Sequence, residues 1–290
     1  MGTALRIGCN GIAAVALIAM TSCGSSSTPA TGGSGVAKET LVWSDEFTAT
    51  TAQSQPNPLN WTYDTGAGGW GNQELETYCG WGATTAPCDA ANPSAYVGND
   101  GYLHIVARTD SKGNFTSARL KTQGLQSFQY GRIEARIQIP AGQGMWPAFW
   151  MLGNNITSAG WPACGELDIM ENIGKEPGIV HGSIHGPNLN AGNPYSLPAT
   201  ASFSAAFHTY GMIWAPNKVQ YYVDDPANIY ATFTPPATSA GGTWPFEQGK
   251  FFFILNVAVG GSWPGPPDAT TAFPQQMLVD YVRVYSEPGP

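Results

Sequence analysis

Three acidic residues fall within six positions, Glu166, Asp168 and Glu171, in the stretch WPACGELDIMENIG from Trp161 to Gly174. Only 11% of the chain is charged, against about 25% in ordinary proteins, so the cluster stands out. On a strand, alternate residues share a face, which groups Glu166 with Asp168 and turns Glu171 away. One extra residue in the Ile169–Met170 region, a β-bulge with Met170 taken as the insertion, returns Glu171 to the same face. Like charges that close disfavour one another's ionisation. A row of carboxylates with separated proton affinities suits general acid–base chemistry, and stability alone would not choose it. The plainer reading of such a triplet is a solvated strand edge.

The segments that must position this row read as strands. Tyr130–Ile139 sets Ile133, Ala135, Ile137 and Ile139 against Arg132, Glu134, Arg136 and Gln138, the alternation of a half-buried strand. On its polar face Arg136, like Arg132, meets a carboxylate or sugar on one reading and a cross-strand salt bridge on the other. Met145–Leu152 alternates Trp146, Ala148, Trp150 and Leu152 with Met145, Pro147, Phe149 and Met151, so one set is expected to face a groove and the other a core. His181, Ser183 and His185 share a face of Ile179–His185. Their spacing suggests zinc only on a helix, and no Glu follows the first histidine. Phe207–Trp214 and Val219–Val223 are joined through Pro216 and Asn217. Phe251–Val257 is almost wholly apolar, as a strand buried on both faces would be, with Asn256 interrupting it. Met277–Tyr285 alternates again, but Asp280 falls where an apolar face is expected. Trp263 lies in a Gly/Pro loop, where an exposed ring serves binding better than packing. No useful helical period and no internal repeat appears. Gly 36 and Pro 23 supply turns for many short strands. The fold class is all-β, at a length that suits one domain.

The text around the acidic row resembles glycoside hydrolase family sixteen, in the bulged form of the laminarinase-like β-1,3-glucanases. The likeness is carried by ELDIMEN at Glu166–Asn172, RIEARIQIP at Arg132–Pro140, GQGMWPAFWMLG at Gly142–Gly153, HGSIHGP at His181–Pro187 and LNVAVGGSWPG at Leu255–Gly265. Leu41–Phe47 is similar to the family's opening W-x-D-E-F, and Gly71–Tyr78 to its G-N-x-E-x-[E/Q]-x-Y stretch. The resemblance implies a jelly-roll β-sandwich of two curved antiparallel sheets, with a substrate groove on the concave face. It implies an endo-acting, retaining hydrolase of β-1,3-glucan that needs no catalytic cofactor. Glu166 is then the nucleophile, Glu171 the acid and base, and Asp168 the residue between that tunes them. Asn72, Trp146, Trp150, His185, Asn256 and Trp263 become sugar contacts, with core packing the alternative for the tryptophans and a buried structural role for His185. The resemblance also implies a structural calcium on the far face, held by Asp280 and the carbonyl of Gly101 with Glu46 nearby. The other reading has Asp280 capping a turn or pairing with Arg283. β-1,3-1,4-Glucanase, transglycosylase and a non-catalytic sugar-binding protein are the competing functions on the same scaffold. An intact acidic row argues against the last, and the extra Met170 against the unbulged mixed-linkage form.

Composition narrows the partners. Twelve Lys and Arg against 20 Asp and Glu give a net charge of −8, which argues against nucleic acid or sulfated polysaccharide. The 10 Trp, 12 Tyr and 12 Phe include flat faces suited to stacking sugar rings. Ile12–Met20 is an apolar run too short to span a bilayer, and it precedes Met20-Thr21-Ser22-Cys23. Residues 1–23 are therefore expected to be an export signal. Cys23 is lipidated if the signal is of the bacterial lipoprotein kind, and removed or unmodified if it is an ordinary secretory one. Residues 24–38 form a Ser/Gly/Thr/Pro-rich tether and residues 39–290 the catalytic domain. The protein is expected outside the cytoplasm, extracellular or lipid-anchored, as a monomer. Export permits a disulfide between Cys79 and Cys88, a metal site being the lesser reading. Cys164 is left over as a thiol expected on the carboxylate face.

Overall fold

The acidic strand, Glu166–Glu171, lies inside a seven-stranded antiparallel sheet. Its neighbours are the tryptophan strand Met145–Gly153 and the histidine strand Ile179–Gly186. The sheet continues through Leu189–Ser196 on the histidine side. On the other side come Phe251–Val259, Arg119–Lys121 and Thr62–Asp64. A second, eleven-stranded sheet runs through Ile229–Phe233, Lys218–Val223, His208–Ala215, Gly131–Gln138, Gln275–Tyr285 and Leu103–Thr109. Its strands are antiparallel except for one short parallel pair, Glu76–Tyr78 with Phe115–Ser117. This is a computed structural model that describes residues 39–48, 53–237 and 241–286. The expected signal, Cys23 and the tether to residue 38 lie outside the described residues.

Alternation explains why these segments form two layers. Ile133, Ala135 and Ile137 are fully buried, as are Met145, Phe149 and Met151 on the tryptophan strand. All join one core with Leu167, Leu255, Val257 and Val282. Each of the larger of these side chains contributes about 1.5–3 kcal/mol on burial, so slipping any of these strands by one residue would be prohibitive. Phe251–Val259 is buried at every position, as its composition requires.

Two irregularities resolve conflicts visible in the sequence. Asp280 would face the core if Gln275–Tyr285 alternated without interruption. The register against Gly131–Gln138 instead shifts between Val279 and Tyr281, so Met277 and Val279 are buried before the shift, Val282 and Val284 after it, and Asp280 stays outside. The second irregularity is the bulge of the acidic strand. Leu189–Ser196, LNAGNPYS, is a strand that periodicity does not reveal. It is an edge strand with no fully buried position, and such a strand tolerates the Asn, Gly and Pro that strand propensity disfavours.

Candidate active site

The acidic strand changes face at Ile169 and Met170. Both side chains point into the core, 1% and 0% exposed. Against the tryptophan strand, Trp150 pairs with Asp168 and Phe149 with Met170, leaving Ile169 unpaired. Against the histidine strand, Asp168 pairs with Ser183 and Glu171 with His181. The expected bulge is present, and the register makes Ile169 rather than Met170 the inserted residue. Two consecutive apolar side chains drive it. Without the bulge, Glu171 would enter the core as an unpaired charge at a cost of many kcal/mol.

Glu166, Asp168 and Glu171 therefore open together into a groove of about 810 Å³. Trp146, Ala148, Trp150 and Leu152 line it from the next strand, Ser183 and His185 from the other side, and Asn256 from the apolar strand. Asn72 and Trp263 reach it from loops. Each glutamate accepts from an indole: Trp161 Nε1 donates to Glu166 Oε2 at 2.8 Å, and Trp146 Nε1 to Glu171 Oε1 at 3.0 Å. Trp146 packs edge-on against Trp263, whose ring is met from beyond by His181. His185 Nε2 lies 3.0 Å from Asp168 Oδ2 and 3.9 Å from Glu166 Oε1. The approach to Asp168 is close in distance but makes no hydrogen bond, so Oδ2 stays buried without one.

Burial is the main influence on all three carboxyls. It pushes Glu171 well above the ordinary carboxylate range, with the charge of Asp168 adding to it and the Trp146 hydrogen bond opposing. Burial, then Asp168, raises Glu166 to about 8, while His185 and Trp161 pull it back. Burial likewise raises Asp168 to about 7. Burial thus favours the protonated form of all three carboxyls. Glu166, Asp168 and His185 also bring ligand-type atoms within 4.8 Å of one another. Glycoside hydrolysis by paired carboxylates uses these groups without a cofactor.

Several groove residues carried no signal in the sequence. Trp161 is half of the hydrogen bond that holds Glu166, yet its only mark was to stand at the head of the acidic stretch. The Arg119 guanidinium sits 4.7 Å from the Trp150 ring centre and 5.1 Å from that of Trp70, with Asp64 on its Nε at 3.1 Å. Such a sandwich joins three distant segments, which only the fold brings together.

Other expectations are corrected. Arg136 does not reach the groove. It belongs to the second sheet, where it bonds Asp280 at 2.6 Å and lies over Phe207. Asp280 is thus matched by Arg136 rather than Arg283, while Arg283 grips both oxygens of Glu46. Arg136 takes one oxygen of Asp280 and Arg283 takes both of Glu46, so of the two only Asp280 keeps a carboxylate oxygen for the expected calcium. Gly101 occupies a turn at φ +79° beside Asp100, which pairs with His104. Cys79 and Cys88 are joined by a disulfide. Cys164 is a free, buried thiol on the groove side of the sheet, as expected, packed beneath groove-lining Trp150 and Leu152. Gly165, at φ +81°, breaks the strand before Glu166, and Cys164 turns into a small apolar cluster with Leu152, Phe252 and Ile254.

A two-sheet sandwich whose groove carries a row of carboxylates between indoles defines a hydrolase of glycosidic bonds. The sequence profile of the glycosyl hydrolases of family 16 matches residues 86–283, and the chain belongs to that family. It is 42% identical to a β-glucanase of Rhodothermus marinus, over 84% of this chain and 84% of that one. It is 34% identical to glucan endo-1,3-β-glucosidase A1 of Niallia circulans, over 87% of this chain but 38% of the longer relative. Among solved structures, the laminarinase catalytic domain of Thermotoga maritima superposes with a TM-score of 0.74 at 42% identity, covering 86% of this chain and 98% of that one.

Proposed function

We propose that the chain cleaves internal β-1,3 linkages of a glucan by double displacement with retention. The observation that carries this reading is the bulge that sets Glu166, Asp168 and Glu171 on one face of the groove. Glu166 attacks the anomeric carbon while Glu171 gives its proton to the departing glycosidic oxygen. A glycosyl ester on Glu166 results, and Glu171, now a carboxylate, takes a proton from the water that displaces it. Burial holds Glu171 protonated, as the acid must be, and the Trp161 hydrogen bond favours the ionised form of Glu166. Asp168, buried beside Glu166, shares its proton and sets when Glu166 is charged. Trp146, Trp150, Trp263, Asn72, Asn256 and His185 contact the sugar chain. An open groove lined by aromatic faces suits an internal segment of polymer rather than one end.

The β-1,3 assignment rests on the named activities of the Niallia and Thermotoga relatives. A panel of laminarin, mixed-linkage glucan and xyloglucan, with products sized, tests it. Laminarin is expected to be cut fastest, to a ladder of oligosaccharides, with the β-anomer formed first. Glu166→Gln and Glu171→Gln are each expected to lose at least about 10²-fold in turnover while folded, and Asp168→Asn less.

Export with lipid attachment at Cys23 is part of the same proposal, supported by the short apolar run before that cysteine. Intact mass of the mature protein tests it. A calcium ion near Gly101 would have to rest on backbone carbonyls and one oxygen of Asp280. Melting with added calcium and with chelator tests that reading.

A further inference from the structure

A second pair of carboxyls lies outside the catalytic row, Glu74 in the groove wall and Glu76 behind it. Glu76 is 0% exposed and Glu74 is 8%. Every donor around Glu74 points inward to it. Trp150 Nε1 donates to Asn256 Oδ1 at 2.8 Å, and Asn256 Nδ2 to the Tyr78 hydroxyl at 3.1 Å. The Tyr78 hydroxyl donates to Glu74 Oε2 at 2.9 Å, and Asn72 Nδ2 to Glu74 Oε1 at 3.1 Å. Glu74 is the terminal acceptor of this chain on both oxygens. Glu76 is different. Its Oε2 accepts from Val259 N at 2.7 Å, and its Oε1 is buried with no ordinary donor. The two carboxyls are within hydrogen-bonding reach of each other.

Two facing carboxyls must share a proton, and the hydrogen-bond directions say which one keeps it. A proton on Glu74 would oppose an incoming donor, Tyr78 or Asn72. A proton on Glu76 satisfies its orphaned Oε1 and gives Glu74 a third donor. We propose that Glu76 is a positioning residue: its carboxylic acid donates to Glu74 and fixes Asn72, Tyr78, Asn256 and Trp150 as the sugar-binding wall. This deepens the β-1,3-glucan reading and rests on it for the ligand. Burial, reinforced by neighbouring Glu74, pushes Glu76 up to about 8, so the wall is intact below that pH. The titratable groups facing it are few. Glu74 and Tyr78 come from its own segment, and Arg119 acts through Tyr78. The apolar strand offers only Val259 N–H and Asn256, and the parallel neighbour Phe115–Ser117 only the Ser117 hydroxyl. Tyr78 is held well above its ordinary range by burial, so Glu76 is the group that changes charge.

The test has two arms. Carbon-13 NMR of the glutamate side-chain carboxyls, in the free full-length enzyme, is expected to show Glu76 titrating near pH 8. Titration in the ordinary carboxylate range would overturn the proposal whatever the substrate. The second arm measures binding of a β-1,3-glucan oligosaccharide by calorimetry at pH 6 and pH 9, in a Glu166→Gln background that prevents turnover. With Glu76 present, affinity is expected to fall about tenfold across that range, the scale of one hydrogen bond. Adding Glu76→Gln, whose amide donates to Glu74 at any pH, is expected to keep the pH 6 affinity and remove the fall. Glu76→Ala is expected to bind weakly at both pH values, with melting temperature checking its fold. The same pH dependence with and without the Glu76→Gln substitution would overturn the proposal. If the parent binds no β-1,3 oligosaccharide yet Glu76 titrates near pH 8, the substrate reading fails and the proton assignment stands.

Discussion

Trp161 Nε1 donates to Glu166 Oε2 at 2.8 Å from a ring that is 60% exposed. An exposed indole therefore holds a half-buried carboxyl, and it favours the charged form of that carboxyl. Removing the bond should raise the proton affinity of Glu166. Trp161→Phe is expected to lower kcat/KM about tenfold and to move the acidic limb of its pH profile upward, since Glu166 must lose its proton to attack. A hydrogen bond to an ionised group is worth about 1.5–3 kcal/mol, which is why tenfold is the expected scale. An unchanged acidic limb would remove Trp161 from the account.

Trp146 stands in the same relation to Glu171, with Trp263 edge-on against it and His181 edge-on against Trp263. Trp146→Phe keeps the ring but loses the N–H that stabilises charged Glu171. Glu171 would then hold its proton still more tightly. The alkaline limb of kcat/KM is expected to move to higher pH while the acidic limb stays in place. Both variants thus shift a limb upward, but each shifts a different one. A pH series on the two variants checks that the limbs move separately.

The raised carboxyls also set how stability follows pH. Glu166 and Glu76 titrate at about 8 and Asp168 at about 7 in the folded chain, against roughly 4 when unfolded. Groups raised on folding give stability that is complete below the unfolded value and lost as pH rises through the folded one. Melting temperature is expected to fall between about pH 5 and pH 8. Glu171→Gln should melt a few degrees higher than the parent at pH 8, with a smaller gap at pH 5. A melting temperature that rises across this range would contradict the burial of the row.

Cys164 packs with Leu152, Phe252 and Ile254, and burial followed by the charge of Glu166 raises its thiol. It is poorly placed to react. Cys164→Ser is expected to keep most activity and to lose about 1–3 kcal/mol of stability from a hydroxyl in apolar surroundings. Peptide mapping after native thiol labelling should find Cys164 unmodified. Rapid labelling would contradict its placement.

Alternation in the sequence was enough to place the main strands and to sort their faces. Trp146 and Trp150 face the groove and Phe149 the core because the period is two. The bulge was legible because Glu171 violates that period while sitting among apolar neighbours. Asp280 gave the same kind of warning, and a register shift answers it. Partner choice was not legible. Arg136 carries equal promise of sugar or salt bridge until the second sheet places it against Asp280. Trp161, Arg119 and the Glu74–Glu76 pair act through contacts between segments far apart in the chain, and no local pattern encodes such contacts.

The central claim is that Glu166 becomes covalently glycosylated. A slow-reacting 2-deoxy-2-fluoro β-1,3-glucosyl oligosaccharide bearing a good leaving group should trap that ester, and peptide mass mapping locates it. One added glycosyl group per chain is expected, on Glu166. A label on Asp168, on Glu171 or on any other residue would contradict it.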